Sequence, residues 1–230
     1  MKKFHSNFLE PPQQQLNSLL EHYQAGRYAE AEKLSLSITQ EFPKHQFAWK
    51  VLGAILKQTG RISDSLVVCQ KSTHLDPQDA EAHNNLAVLL QELERLNEAE
   101  ASLRQAITLK PDYAEAHNNL GNTLKELGRL KEAEASFRQA IALKPDYAEA
   151  YYNLGVLLQE LERLNEAEAS LRQAIILKPD LAEAHNNLGV MLQKELGRLN
   201  EAEASLRQAI TLKPDYAEAH NNLGGILQEL

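Results

Sequence analysis

Asparagine returns along this chain every 34 residues, with one more before the last, at Asn85, Asn119, Asn153, Asn187 and Asn222. A carboxamide donates and accepts at once, so a row of them can pair with both the N–H and the C=O of another chain's backbone. Three residues further on stand Asn122, Val88, Val156 and Val190, which would give the same surface polar and apolar footing. A second row at Asn84, Asn118, Asn186 and Asn221 is interrupted by Tyr152 and falls towards the edge of that surface. Histidines recur at His83, His117, His185 and His220, where other copies carry Trp49 and Tyr151. Packed helices lie ~8–10 Å apart, too far for imidazoles of successive copies to share one zinc with bonds of ~2 Å. The histidines therefore read as packing residues, and no metal site is expected. Glycine-rich phosphate loops, nucleophile elbows and zinc-protease motifs do not occur, so no catalytic residue and no cofactor are expected.

A strict sequence period positions these rows. The string AEAHNNLAVLLQELERLNEAEASLRQAITLKPDY, residues 80–113, returns with few changes at Ala114, Ala148 and Ala182 and starts again at Ala217. Within one copy, apolar or small residues follow helical spacing twice, as Leu120, Gly121 and Leu124, then Ala133, Phe137 and Ala140. Each copy is thus two amphipathic helices. Gly128 closes the first, and Pro145 stops the second. Asp146 with Glu149 reads as a capping box that opens the next copy, and the row Glu81, Glu115, Glu149, Glu183 and Glu218 would repeat it. On the first helix, Ala116, His117, Leu120, Gly121 and Leu124 share the packing arc, while Glu115, Asn119, Asn122 and Glu126 share the opposite one. A lone hairpin of this kind cannot bury its apolar faces, so neighbours must stack.

The 34-residue period, the pair Leu120-Gly121, Ala133 and Pro145 resemble the signature of the tetratricopeptide repeat (TPR). The same register extends back over 46–79 through Trp49, Leu52, Gly53, Gly60 and Pro77. It reaches 12–45 through Gly26, Tyr28, Ala31 and Pro43, where the first helix diverges. The resemblance implies an all-α fold, a right-handed α-solenoid of stacked antiparallel helix pairs. Residues 1–11 would be an N-terminal extension. A single solenoid over 12–230 would contain repeats 12–45, 46–79, 80–113, 114–147, 148–181 and 182–216, with a half repeat at 217–230. It also implies that the asparagine-bearing arc lines the concave, peptide-binding surface. An extended peptide rises about 3.3 Å per residue, so one asparagine would meet roughly every third residue. This row is similar to the asparagine ladder in the TPR superhelix of the protein O-linked N-acetylglucosamine transferases. Near-identical copies would also preserve a merely polar residue.

Three departures carry expectations of their own. Glu94 and Glu162 replace the turn glycine. Repeat 182–216 holds one extra residue near Lys194, which predicts a bulge or longer turn between Gln193 and Leu196. The last helix leaves Leu223 and Leu227 without a second helix to cover them.

A formal charge of −8 disfavours nucleic acid, whose phosphates need clustered cations, and suits a basic or neutral protein partner. Cys69 stands alone, so no disulfide closes within the chain, and it replaces a core apolar residue. No stretch approaches the ~20 apolar residues of a membrane span, so a soluble, cytoplasmic protein is expected. The leading reading is a module that binds an extended peptide or protein segment. One alternative is the substrate-recruiting arm of a larger, glycosyltransferase-like enzyme. Another is a scaffold that self-associates end to end through helix 217–230.

Overall fold

The computed structural model describes residues 10–194 and 197–229. Among the described residues there are thirteen helices and no strand. They fall into two compact units divided between Pro111 and Asp112. The first unit contains α1 (Gln13–Gln24), α2 (Tyr28–Glu41), α3 (Gln46–Gln58), α4 (Ile62–Leu75), α5 (Ala80–Glu92) and α6 (Leu96–Leu109). The second contains α7 (Ala114–Glu126), α8 (Leu130–Leu143), α9 (Ala148–Glu160), α10 (Leu164–Leu177), α11 (Ala182–Lys194), α12 (Leu199–Leu212) and α13 (Ala217–Glu229). Odd-numbered helices are the first of each pair and even-numbered helices the second. Within each unit a first helix packs on its own partner, on the preceding second helix and on the next first helix wherever these lie in the same unit, as α9 does on α10, α8 and α11. Each unit is therefore an all-α solenoid of stacked helix pairs.

The core follows the two predicted stripes. Ala133, Phe137 and Ala140 of α8 are fully buried, as are Ala99, Leu103 and Ala106 of α6 and Ala167, Leu171 and Ala174 of α10. These small–large–small triplets let a bulky side chain seat against the first helix of the same pair. At Gly121 an added Cβ would lie 2.5 Å from Phe137 Cε1, so only a glycine lets α7 and α8 approach this closely with a phenyl ring between them.

First helices end in a left-handed residue. Glu94 and Glu162 both stand at φ 57°, beside Gly128 at 74°. The amide of Arg95 donates to Leu90 O at 2.8 Å and that of Glu94 to Gln91 O at 2.9 Å. This is the paired closure of a Schellman motif. In repeat 182–216 the same closure spans one more residue, with Arg198 N–H donating to Leu192 O at 2.8 Å. The bulge expected there includes residues 195 and 196, which lie outside the described residues, as do residues 1–9 of the N-terminal extension. Beyond the insertion, α12 resumes at the usual 14 residues, and Leu206 lies where a Cβ on Gly189 would be 2.7 Å from its Cγ.

The capping boxes are not formed. Tyr113 and Tyr147 occupy the N-cap positions of α7 and α9, and neither side chain caps its helix. Asp146 lies one place too early to do so. At α5 the N-cap is Asp79, whose carboxylate accepts from the amides of Glu81 at 3.0 Å and Ala82 at 3.1 Å.

A left-handed backbone penalises any residue with a Cβ. Replacing Glu94 or Glu162 by glycine should raise the free energy of unfolding by up to about 1 kcal/mol each. Urea denaturation followed by circular dichroism measures this, and replacement by glycine at exposed Ala101 within α6 serves as a destabilising control.

Candidate functional site

Asn85, Asn119, Asn153, Asn187 and Asn222 all lie half-buried on first helices, as do Asn122, Val88, Val156 and Val190. The packing arc behind them is buried at Ala116, Leu120, Gly121 and Leu124, as the helical spacing predicts. The row is not a set of freely rotating amides. Asn153 Nδ2 donates to Asn118 Oδ1 at 3.0 Å, Asn187 Nδ2 to Tyr152 Oη at 3.1 Å, and Asn222 Nδ2 to Asn186 Oδ1 at 3.0 Å. Asn153, Asn187 and Asn222 thus each hang on the fifth residue of the preceding repeat. Asn186 extends the chain of bonds, donating to Asn187 Oδ1 at 3.3 Å and to Glu218 Oε1 at 3.2 Å.

This corrects the reading of the second asparagine row. Asn84, Asn118 and Asn186 do not edge the open surface but are buried. In the second unit the next first helix packs over Asn118 and Asn186, and a buried amide needs the partner that the next repeat's asparagine supplies. The signal was present in sequence as an offset of 35 residues between the two rows, 36 across the insertion in repeat 182–216. Tyr152 breaks the residue type yet keeps an oxygen for Asn187.

The remaining recurrent residues hold the scaffold together. His83 and His185 Nε2 lie 3.1 Å from the carbonyls of Pro77 and Pro179, and His220 Nε2 lies 2.9 Å from that of Pro214. Trp49 Nε1 donates to Pro43 O in the same way at 3.0 Å. A carbonyl only accepts, so Nε2 carries the proton in these histidines. Among the described residues no group of three or more His, Cys, Asp or Glu side chains could hold a metal ion.

The glutamates expected in capping boxes instead pair with lysines at the ends of second helices. Lys144 Nζ is 3.3 Å from Glu115 Oε1, and Lys178 Nζ is 3.1 Å from Glu149 Oε1. Lys144 also lies over the Tyr147 ring, 4.6 Å from its centroid. Burial, with Glu115, Glu149 and Tyr113 nearby, pushes the Tyr147 phenol up to about 12. Cys69 is buried, and that burial raises its thiol pKa above the ordinary value.

In the first unit the ladder changes character. Its sixth-position residues are Asn17, the buried Val51 and Asn85, and its fifth position in repeat 46–79 is Lys50. Lys50 Nζ sits 3.0 Å from Asp79 Oδ2 and 2.7 Å from Glu81 Oε2, and Gln46 Nε2 donates to Asp79 Oδ2 at 2.8 Å. Burial pushes the Asp79 carboxyl up, but hydrogen bonds from Lys50, the Ala82 amide and Gln46 outweigh it and hold it below its ordinary value. An open cleft of about 400 Å³ lies beside this hub, lined by Leu20, Tyr23, Phe47, Val51, Ala54 and Val88 among others.

Family models of the tetratricopeptide repeat match residues 90–128, 121–162 and 194–230, residues 148–181, and residues 68–101, together more than half of the chain. The chain belongs to the tetratricopeptide-repeat family. A search of the curated proteins gives no match. Solved TPR-like structures share the fold. The APC/C hetero-tetramer Cut9–Hcn1 is similar at TM-score 0.81 and 18% identity, over 93% of this chain and 42% of that chain. YrrB, described as a TPR protein with an unusual peptide-binding site, is similar at TM-score 0.62 and 21% identity, over 85% of this chain and 98% of that one. PilF of Pseudomonas aeruginosa is similar at TM-score 0.80 and 19% identity, over 93% and 96%. Among the described residues no helix of this TPR chain is long and apolar enough to cross a membrane.

Two measurements test these contacts. Tyr152→Phe removes the acceptor for Asn187 and should cost about 0.5–1.5 kcal/mol in urea unfolding. Asp79 is more acidic folded than unfolded, so its contribution is present above its unfolded pKa of about 3.9 and is lost as pH falls through the folded value. Thermal melts of the natural chain between pH 5 and pH 2 should therefore fall more steeply than those of Asp79→Asn.

Proposed function

We propose that this TPR chain is a protein-interaction module that binds an extended segment of a partner along the open face of its first helices. The observation that carries the reading is the row Asn119, Asn153, Asn187 and Asn222, whose members in the last three repeats are hung from the preceding repeat by one Nδ2 each. An amide fixed in this way meets a ligand with little side-chain entropy left to lose, which is how preorganisation raises affinity. It presents its remaining polar capacity at a repeating interval that suits a peptide backbone. The valines at Val156 and Val190 and the amide of Asn122 stand beside the row and would contact alternate side chains. The peptide-binding site named for YrrB is consistent with this use of the fold.

The charge pattern favours a neutral or weakly basic partner. Glu115, Glu149 and Glu183 are each matched by a lysine of the same repeat, so the net acidity of the chain is only partly expressed at this face. Recognition through backbone amides needs no charge on the partner.

Asn119→Ala, Asn153→Ala and Asn187→Ala combined should weaken partner binding at least roughly tenfold, three lost hydrogen bonds being worth more than 1.4 kcal/mol together. Because Asn153 and Asn187 also join repeats, the variant should be compared at a temperature where both proteins are fully helical by circular dichroism. Capture from a soluble lysate followed by calorimetry with the captured partner reads the effect. Equal affinity in the two proteins would remove the ladder from the function.

A further inference from the structure

The cleft of the first unit differs from the ladder in every property that governs recognition. Across its three repeats the ninth positions are Leu20, Ala54 and Val88, and the small Ala54 between two larger residues opens the depression. Tyr23, Phe47 and Val51 complete an apolar wall. A volume of about 400 Å³ lies within the ~300–1,000 Å³ of ligand sites. At the rim Lys50 is shared by Asp79 and Glu81 and Lys57 is paired with Glu92 at 3.1 Å, so both lysines are matched and one net negative charge remains. The rim therefore offers no unmatched cation to hold a carboxylate, and the wall of the hollow itself is apolar.

Asn85 lies at this cleft, and its carboxamide is set differently from those of Asn153, Asn187 and Asn222. The residue that would tether it, one repeat back at the fifth position, is Lys50, and Lys50 is turned to Asp79 and Glu81. Among the described residues the Asn85 side chain makes no hydrogen bond, so its donor and its acceptor both remain to be used. A carboxamide with both functions unspent beside an apolar hollow fits one kind of occupant. A backbone unit pairs with the amide, and the side chain next to it fills the hollow.

We infer that the first unit holds a side-chain pocket, formed around Ala54 with Asn85 at its mouth, that seats one bulky, uncharged aliphatic or aromatic residue of the partner's extended segment. The inference rests on the open face being the peptide-binding face. It adds a residue preference where the ladder alone would read backbone. Burying such a side chain is worth about 1.5–3 kcal/mol, and the amide pair adds about 0.5–1.5 kcal/mol.

The test is selection of a random decapeptide library, displayed on phage, against the full chain. The enriched peptides are then made with a fluorescein label and titrated by anisotropy. The expected result is a shared Leu, Ile, Phe or Trp within an uncharged stretch. Ala54→Leu, which fills the hollow, should weaken these peptides roughly 10- to 100-fold. Asn85→Ala should weaken them roughly 3- to 10-fold. Val88→Lys, which places a charge at the pocket, is a second variant should Ala54→Leu shift the unfolding midpoint.

Peptides weakened by Asn153→Ala and Asn187→Ala but indifferent to Ala54→Leu and Val88→Lys would overturn the pocket and leave the ladder standing. Peptides indifferent to both sets, or no enrichment at all, would overturn the pocket and the open-face reading together. An invariant acidic or basic residue in peptides lost on Ala54→Leu would overturn the uncharged assignment. A rise of tenfold or more in affinity when residues 1–9 are removed would give the pocket to the chain's own leading residues and overturn a partner as its occupant.

Discussion

A bulky second-helix side chain pressed onto a small residue of the first helix sets the distance within each pair, and other spacings in each unit depend on it. Phe137 reaches Gly121 so closely that no Cβ fits between them, and Leu171 and Leu206 do the same at Gly155 and Gly189. In the third repeat the place is taken by Ala87, with Leu103 seated and both residues fully buried. Because interiors are packed at nearly crystalline density, one methyl group too many displaces a whole helix rather than a side chain. With the pair held at fixed distance, the first helices of consecutive repeats come close enough to touch, and a row on one becomes a row across several.

That closeness explains the double use of asparagine. The fifth residue of a first helix is covered by the next repeat, and its amide is satisfied there by the sixth residue of that repeat. A polar group in this position specifies the register between repeats, since a shift of one residue would leave a buried amide without a partner, at a cost of about 1–3 kcal/mol. The bond also restrains the outward asparagine. One interaction therefore both joins repeats and shapes the surface, so the proposed binding face and the stability of the stack are not separable here. The first unit departs from the scheme with Lys50 and Asp79, trading amide pairing for an ion pair and leaving Asn85 unrestrained.

The second helices are joined by charge. In the second unit Glu134 and Glu166 each accept from both Arg138 and Arg163, at 2.7–2.9 Å. Glu168, Arg172, Arg198 and Glu201 form a like group one repeat later. Isolated exposed pairs contribute ~0–1 kcal/mol, but here Arg163 and Arg198 also hold the N-cap positions of α10 and α12, where Glu166 and Glu201 in the first turn are favoured by the helix dipole. The arrangement repeats because the sequence repeats, and it weakens in repeat 46–79, where Leu66 and Gln70 replace the glutamate and arginine.

The sequence alone determined the helices, their pairing and the face of each first helix that packs. A 34-residue period with apolar residues at helical spacing allows only stacked hairpins, and Gly128 and Pro145 mark their ends. Even the left-handed turns at Glu94 and Glu162 were legible, because their neighbours in other copies are glycines. The tertiary structure decided what periodicity cannot encode, namely which polar groups meet across repeats. Asn118 looked like an edge residue until the next helix covered it. The glutamates looked like caps until tyrosine proved to hold the N-cap and lysines from the second helices reached them. The cleft at Ala54 arose from three unremarkable residues in three different repeats. A helical wheel gives direction around one axis, whereas contacts between axes depend on separation and offset, and these are fixed only once the cores are packed.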